Sequence, residues 1–151
     1  MFAARMRDPV MEDGACFAAL SAEIDAMVRE AAEAGLEDDA GSVTRAWHAV
    51  GEARSASVHR MGALGAAAAP ANATLFLYGF GHIVVTALWL RQAAVACRAL
   101  PSASQGDVAF YRGKVQAMRY MVHHELHLAR SWLQTTLTGD STVLETEADW
   151  L

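Results

Sequence analysis

Three histidines and one glutamate fall within five residues, His123-His124-Glu125-Leu126-His127, inside the stretch MVHHELHLAR from Met121 to Arg130. Histidine and carboxylate side chains hold transition metals and move protons near neutral pH, so this cluster is the first place to look for chemistry. The zinc-protease pattern HExxH fails by one residue. His124 and Glu125 require a histidine at position 128, which is Leu128. His123 and His127 do have the i, i+4 spacing that lets one helix face chelate a metal. Two ligands are too few for a structural or catalytic site unless another helix or chain adds more.

At about 100° per residue, Tyr111, Val115, Met118, Val122, Leu126, Ala129 and Leu133 form the core-facing row of this helix. Met121, Leu128 and Trp132 widen that apolar arc. His124 and His127 fall on the far side, and His123 lies at the border with Arg112, Arg119 and Arg130. The spacing thus favours a solvated polar face for the triplet, with His123 and His127 kept as candidate metal ligands. A di-iron bundle needs two Glu-x-x-His pairs, and no glutamate here is followed three residues later by histidine.

His82 lies in a charge-free segment near Tyr78 and Thr86. The reading carried forward is a buried histidine bonded to a nearby hydroxyl or carbonyl. Its rival is a ligand or haem contact. His48 and His59, eleven residues apart, share a face of another helix. No GxSxG elbow or P-loop occurs, and neither Cys16 nor Cys97 is placed beside a histidine by any motif. Gly79 and Gly81 in YGFGH follow no strand, and are read as letting two helices approach closely.

The elements that must position these residues follow from composition and periodicity. Hydrophobic residues make up 54% of 151 residues, much of it alanine, which predicts one all-α domain spanning 1–151. A net charge of -5 excludes an electrostatic nucleic-acid footprint. Two cysteines without a CxxC exclude a zinc ribbon or disulfide framework and suit a reducing cytoplasm. The apolar part of MFAARMRDPV is too short for a signal peptide.

Four helices are predicted, at about 9–34, 42–64, 73–100 and 106–138. Asp8 and Pro9 start the first, and Phe17, Leu20, Ile24, Met27, Val28 and Ala31 form its stripe. LEDDAGS reads as a polar turn. Val43, Trp47, Val50, Val58 and Met61 mark the second helix, with Ala46, Ala53 and Ser57 permitting close approach. The third carries no Asp, Glu, Lys or Arg up to Leu90. It is long enough for a membrane span, but Pro70, Asn72, Thr74, His82 and Thr86 punctuate it and no basic flank marks a cytoplasmic side. A buried central helix is the preferred reading. Ser104 and Asp107 resemble an acidic capping box before the fourth helix, and Gly139 stops it. Short turns predict an up-down antiparallel four-helix bundle with an irregular tail over 139–151. Trp150 and Leu151 in that tail are free to dock on the bundle or on a partner.

Two stretches together carry a family resemblance. NATLFLYGFGHIVVTALWLRQAAVA (Asn72 to Ala96) and DVAFYRGKVQAMRYMVHHEL (Asp107 to Leu126) resemble the C-terminal helical module of one branch of the acyl-CoA dehydrogenases. The matching positions are Gly81 and His82, then Trp89-Leu90-Arg91, then Phe110-Tyr111-Arg112-Gly113-Lys114. The resemblance covers about 100 residues from the second helix to Gly139 and extends to the first. Where the family has a helix-bending proline after Glu-Leu, this chain has His127, which implies a straighter fourth helix.

The resemblance implies packing roles for Gly81, His82, Trp89, Arg91, Phe110, Tyr111, Gly113 and Lys114, and no catalytic role for any residue. Family members use FAD to oxidise an acyl-CoA thioester. Their flavin, CoA and base sites belong to a dehydrogenase core that these residues do not contain. The chain is then a piece of such an enzyme, or a module that joins a core in trans or assembles with itself as a homo-oligomer; Met1 fits both. The rival reading is a bundle that binds a small ligand or metal through His82 or through His123 and His127. Lipid-surface association through the third helix is a further alternative.

Overall fold

The computed structural model describes residues 14–64 and 71–150, and every regular element within them is helical. Five helices make up the body: α1 (Ala15–Ala32), α2 (Glu37–Leu64), α3 (Ala73–Ala99), α4 (Val108–Tyr120) and α5 (Leu126–Thr138). A 3₁₀ turn, Leu100–Ser102, follows α3. A π-helical turn, Met121–Glu125, joins α4 to α5 without a break. The expected fourth helix is therefore two helices in one rod.

Several boundaries differ from expectation for local reasons. The Asp8 cap and Pro9 lie outside the described residues; α1 runs from Ala15, after Gly14 in a left-handed conformation (φ 77°). LEDDAGS is not a turn. The chain reverses earlier, at Gly35 (φ 82°), where the Leu36 N–H donates to Ala31 O and the Gly35 N–H to Ala32 O, both at 3.0 Å. That is the Schellman pattern, and buried Leu36 supplies its apolar contact. Glu37, Asp38 and Asp39 then fill the first turn of α2, where the positive end of the helix dipole favours carboxylates. The acidic run starts a helix.

Further on, α4 begins at Val108, with Asp107 in the N-cap position. The Ser104 hydroxyl donates to the Asp107 carboxylate at 2.6 Å, so the two side chains bond each other and the expected capping box, which needs side-chain bonds to backbone N–H groups, does not form. Gly139 (φ 73°) ends α5 as expected. Arg60 of α2 donates to the Leu137 carbonyl at 2.9 Å and also to Thr136 O, satisfying carbonyls that the helix end leaves open. The tail is not wholly irregular: it holds one helical turn, α6 (Thr142–Glu145), and a 3₁₀ turn, Ala148–Trp150. Trp150 is exposed, and Leu151 lies outside the described residues.

The core joins Ile24 and Met27 of α1, Val43, Trp47 and Val50 of α2, Ile83 and Leu90 of α3, and Met118, Val122, Leu126 and Leu133 of the α4–α5 rod. Burying each such side chain contributes about 1.5–3 kcal/mol relative to leaving it in water. Buried alanines between them, such as Ala46, Ala53, Ala87 and Ala129, let the backbones approach. Tyr111 is only half-buried, and Leu128, expected in the apolar arc, is exposed.

The central element is α3, which packs against α1, α2, α4 and α5. An aromatic chain ties three of these together: Phe17 stacks on Trp47 at 5.2 Å, and Trp47 meets Phe80 at 6.0 Å. The Trp47 indole N–H donates to Ser21 Oγ at 3.2 Å. Gly79 is where α3 comes closest to α5, since a Cβ there would lie 2.7 Å from Leu133 Cγ and 3.0 Å from Ala129 O. Gly81 and Gly113 face open space on the corresponding side, so neither makes a close helix approach.

One expectation about α3 is corrected. Its charge-free surface is not covered all round. Ala73–Ser102 is long and apolar enough to cross a membrane by length and composition, and 33% of its most apolar window is buried. Tyr78, Val85, Leu88 and Val95 stay exposed because α1, α2 and the α4–α5 rod cover the other sides of the helix.

Candidate functional site

The HHELH cluster straddles the end of the π-helical turn and the start of α5. There the Leu126 N–H reaches back five residues to Met121 O, so one extra residue is accommodated in the rod. The helix is therefore distorted at this turn. The distortion does not depend on a proline ring. It lets Met118, Val122, Leu126, Ala129 and Leu133 all remain buried on one row while the residues between them point to different neighbours.

The cluster is thereby split in three. Glu125 turns toward α3, and its Oε2 lies 3.6 Å from His82 Nε2. His123 turns toward α2, with Nε2 3.7 Å from Asp39 Oδ1. Asp39, nearly buried in the first turn of α2, also lies 4.0 Å from the Arg119 guanidinium. His124 faces outward and stacks on Tyr120 at 4.8 Å. His127 lines a shallow groove between α2 and the rod, together with Ser42, Arg45, Val122, His123, Leu126 and Arg130. Among the described residues no group of three or more His, Cys, Asp or Glu is placed to hold a metal ion.

His82 is not buried, contrary to expectation; its side chain is 35% exposed at the edge where α3 meets the rod. Its Nδ1 lies 3.0 Å from Tyr78 O, so this nitrogen carries the proton when it bonds the carbonyl. Trp132 packs edge-on against the ring at 4.9 Å. The partner that the sequence did not supply is Glu125, forty-three positions away. Only the packing of α3 on the rod brings the two together.

Three contacts define this α3–rod seam from end to end. Tyr78 packs on Trp132 at 5.6 Å, His82 faces Glu125, and Lys114 Nζ lies 5.0 Å above Trp89. Lys114 also donates to Gln92 Oε1 at 3.1 Å and lies 5.4 Å from the Phe110 ring, which in turn meets Tyr111 edge-on at 5.5 Å. Arg91 turns away from this group and pairs with Glu30 of α1 at 3.6 Å. Of the residues singled out in the sequence, His82, Trp89, Phe110, Tyr111 and Lys114 thus belong to one seam. Gly81, Gly113 and Arg91 do not contribute contacts to it. His48 and His59 are exposed on α2.

The helices that form this seam also leave apolar side chains exposed. Among the described residues, Tyr78, Val85, Leu88 and Val95 of α3, Phe110 and Tyr120 of α4, and Leu128 of α5 are the large apolar side chains of the helical body left exposed. None comes from α1 or α2. Sequence reasoning missed this exposure because it assigned the whole apolar surface of the third helix to the core. Leu128 was missed because the π turn rotates α5 relative to a straight helix.

The family model described as "Acetyl-CoA dehydrogenase C-terminal like" matches residues 20–147, from within α1 through α6. Among curated proteins none matches the chain.

Proposed function

The chain belongs to the acetyl-CoA dehydrogenase C-terminal like family, and from that premise we propose that it is a non-catalytic helical module acting in subunit packing. Its partner is an acyl-CoA dehydrogenase core, in cis or in trans, or a second copy of itself. The observation that carries this reading is the one-sided surface: large exposed apolar side chains on α3, α4 and α5, and none among the described residues of α1 and α2. Large exposed apolar side chains gathered on one set of helices are the kind of surface used for a protein interface or a lipid contact. Aromatic residues such as Tyr78, Phe110 and Tyr120 are the types enriched at interface centres.

On this reading FAD and the thioester chemistry belong to the core. The groove beside His127 has a volume of about 170 Å³, whereas pockets for drug-sized ligands measure roughly 300–1,000 Å³. It does not fit a dinucleotide, and no residue of this chain is assigned a flavin or a catalytic role. A reducing cytoplasm is part of the same proposal.

The helix arrangement proposed with it is an up-down antiparallel four-helix bundle, the α4–α5 rod counting as the fourth helix. Asp39 beside His123 and Arg60 beside Leu137 support a common direction for α2 and the rod. Glu30 beside Arg91 and Arg98 supports the same for α1 and α3. Tyr78 on Trp132 and Trp89 under Lys114 support an opposite direction for α3 and the rod.

The test compares the chain with Val85→Glu/Leu88→Glu by sedimentation velocity, and by native mass spectrometry with an absorption spectrum. The wild type is expected to form a homo-oligomer or a larger, flavin-containing complex, and the double variant to lose that association while keeping its helical circular dichroism. A wild-type monomer without a dehydrogenase partner overturns the reading. Flotation of wild type with liposomes, lost in the same variant, would instead support the lipid-surface alternative raised by the apolarity of α3.

A further inference from the structure

We propose that the groove between α2 and the π turn binds a phosphate-class dianion. Its walls carry Arg45 of α2, Arg130 of α5 and the rings of His123 and His127, over a floor of Val122 and Leu126. No carboxylate is among the lining residues. In a chain of net charge -5, with 17 acidic against 12 basic residues, a groove walled by two guanidiniums and two imidazoles runs against the overall balance.

Charge pairing within the groove favours an incoming anion. The nearby carboxylate, Asp39, lies between Arg119 and His123, at 4.0 and 3.7 Å. Among the described residues neither Arg45 nor Arg130 has a carboxylate at ion-pair distance. Arg45 is held instead by a neutral group: its Nη2 donates to Ser42 Oγ at 3.0 Å, and that hydroxyl donates to Asp38 O at 3.0 Å. One guanidinium is thus oriented without being neutralised. Guanidinium forks match phosphate oxygens better than point charges do. The groove volume of about 170 Å³ accommodates a phosphate-sized group.

Phosphate chemistry can come from a soluble phosphomonoester or from a lipid headgroup, and the experiment separates the two. The full chain is titrated with inorganic phosphate at constant ionic strength while amide resonances are followed by NMR, with chloride as the control. In a second arm it is sedimented with vesicles containing phosphatidic acid. The variant is Arg45→Gln/Arg130→Gln; both residues are exposed, and retention of the fold is checked by circular dichroism. Saturable shifts centred on Ser42, Arg45 and His123 to Arg130, weakened at least about tenfold in the variant, support the site for a soluble ligand. Vesicle binding lost in the variant supports it for a headgroup. Shifts that do not saturate, that chloride reproduces, or that survive the double substitution overturn the proposal, as does failure of both arms. Vesicle binding that survives the double substitution belongs to the exposed apolar side chains and not to the groove.

Discussion

Leu88 and Leu90 are the same residue two positions apart on α3, and they live in different environments. Leu90 is fully buried against the other helices, while Leu88 is 45% exposed on the apolar outer face. The same contrast holds for the whole molecule. Among the described residues, the α1–α2 side leaves no large apolar side chain exposed. The α3–rod side buries one apolar layer and shows another. Leu88 is left outside because the neighbouring helices cover the other sides of α3.

The most severe test of that contrast is a matched truncation. Leu90→Ala should destabilise the chain by about 2–5 kcal/mol, since it leaves a cavity the surroundings cannot close. Leu88→Ala should stay within about 0.5 kcal/mol, as surface substitutions usually do. Urea unfolding at low protein concentration measures both. A large cost at Leu88 that grows with protein concentration would show the outer face already covered by a second copy.

A pair of glycines gives the next largest effect, and the two are expected to differ in sign. Gly79→Ala forces a methyl group to 2.7 Å from Leu133 Cγ and 3.0 Å from a backbone oxygen, which should cost about 1–3 kcal/mol less any gain in helix propensity. Gly81→Ala meets nothing within 4 Å and should stabilise α3 by about 0.5–1 kcal/mol. Thermal melts of the two variants decide it. Equal signs would mean that the α3–α5 approach is not where it is drawn.

The smallest effect is expected at the seam. His82→Ala and Glu125→Gln, taken singly and together in a double-mutant cycle, should show a coupling of about 1 kcal/mol or less, because both groups are partly solvated. A coupling near zero would leave Trp132 and the Tyr78 carbonyl as what holds His82 in place. A value well above that range would mark the pair as buried by a partner in the associated state.

Much of this was legible before any coordinates. Alanine content, helical stripes and Gly139 determined an all-helical chain with its main core residues, because those signals act within a few residues of themselves. The paired stretches around Trp89 and Phe110-Tyr111 carried the family for the same reason. Local reasoning failed where a choice depended on distant neighbours. A helix without charges looks alike on every face, and only its packing partners decided that Leu90 would be covered and Leu88 would not. A run such as Leu36-Glu37-Asp38-Asp39 reads as a polar turn until Gly35 and buried Leu36 show where the chain reverses. The sequence placed three histidines and a glutamate side by side. It took the π turn and the helices packed on each side of the rod to send Glu125 to His82 and to send His123 and His127 to a groove with Arg45 and Arg130. Side-chain direction on a helix follows from phase, and the phase was set by how the rod packs.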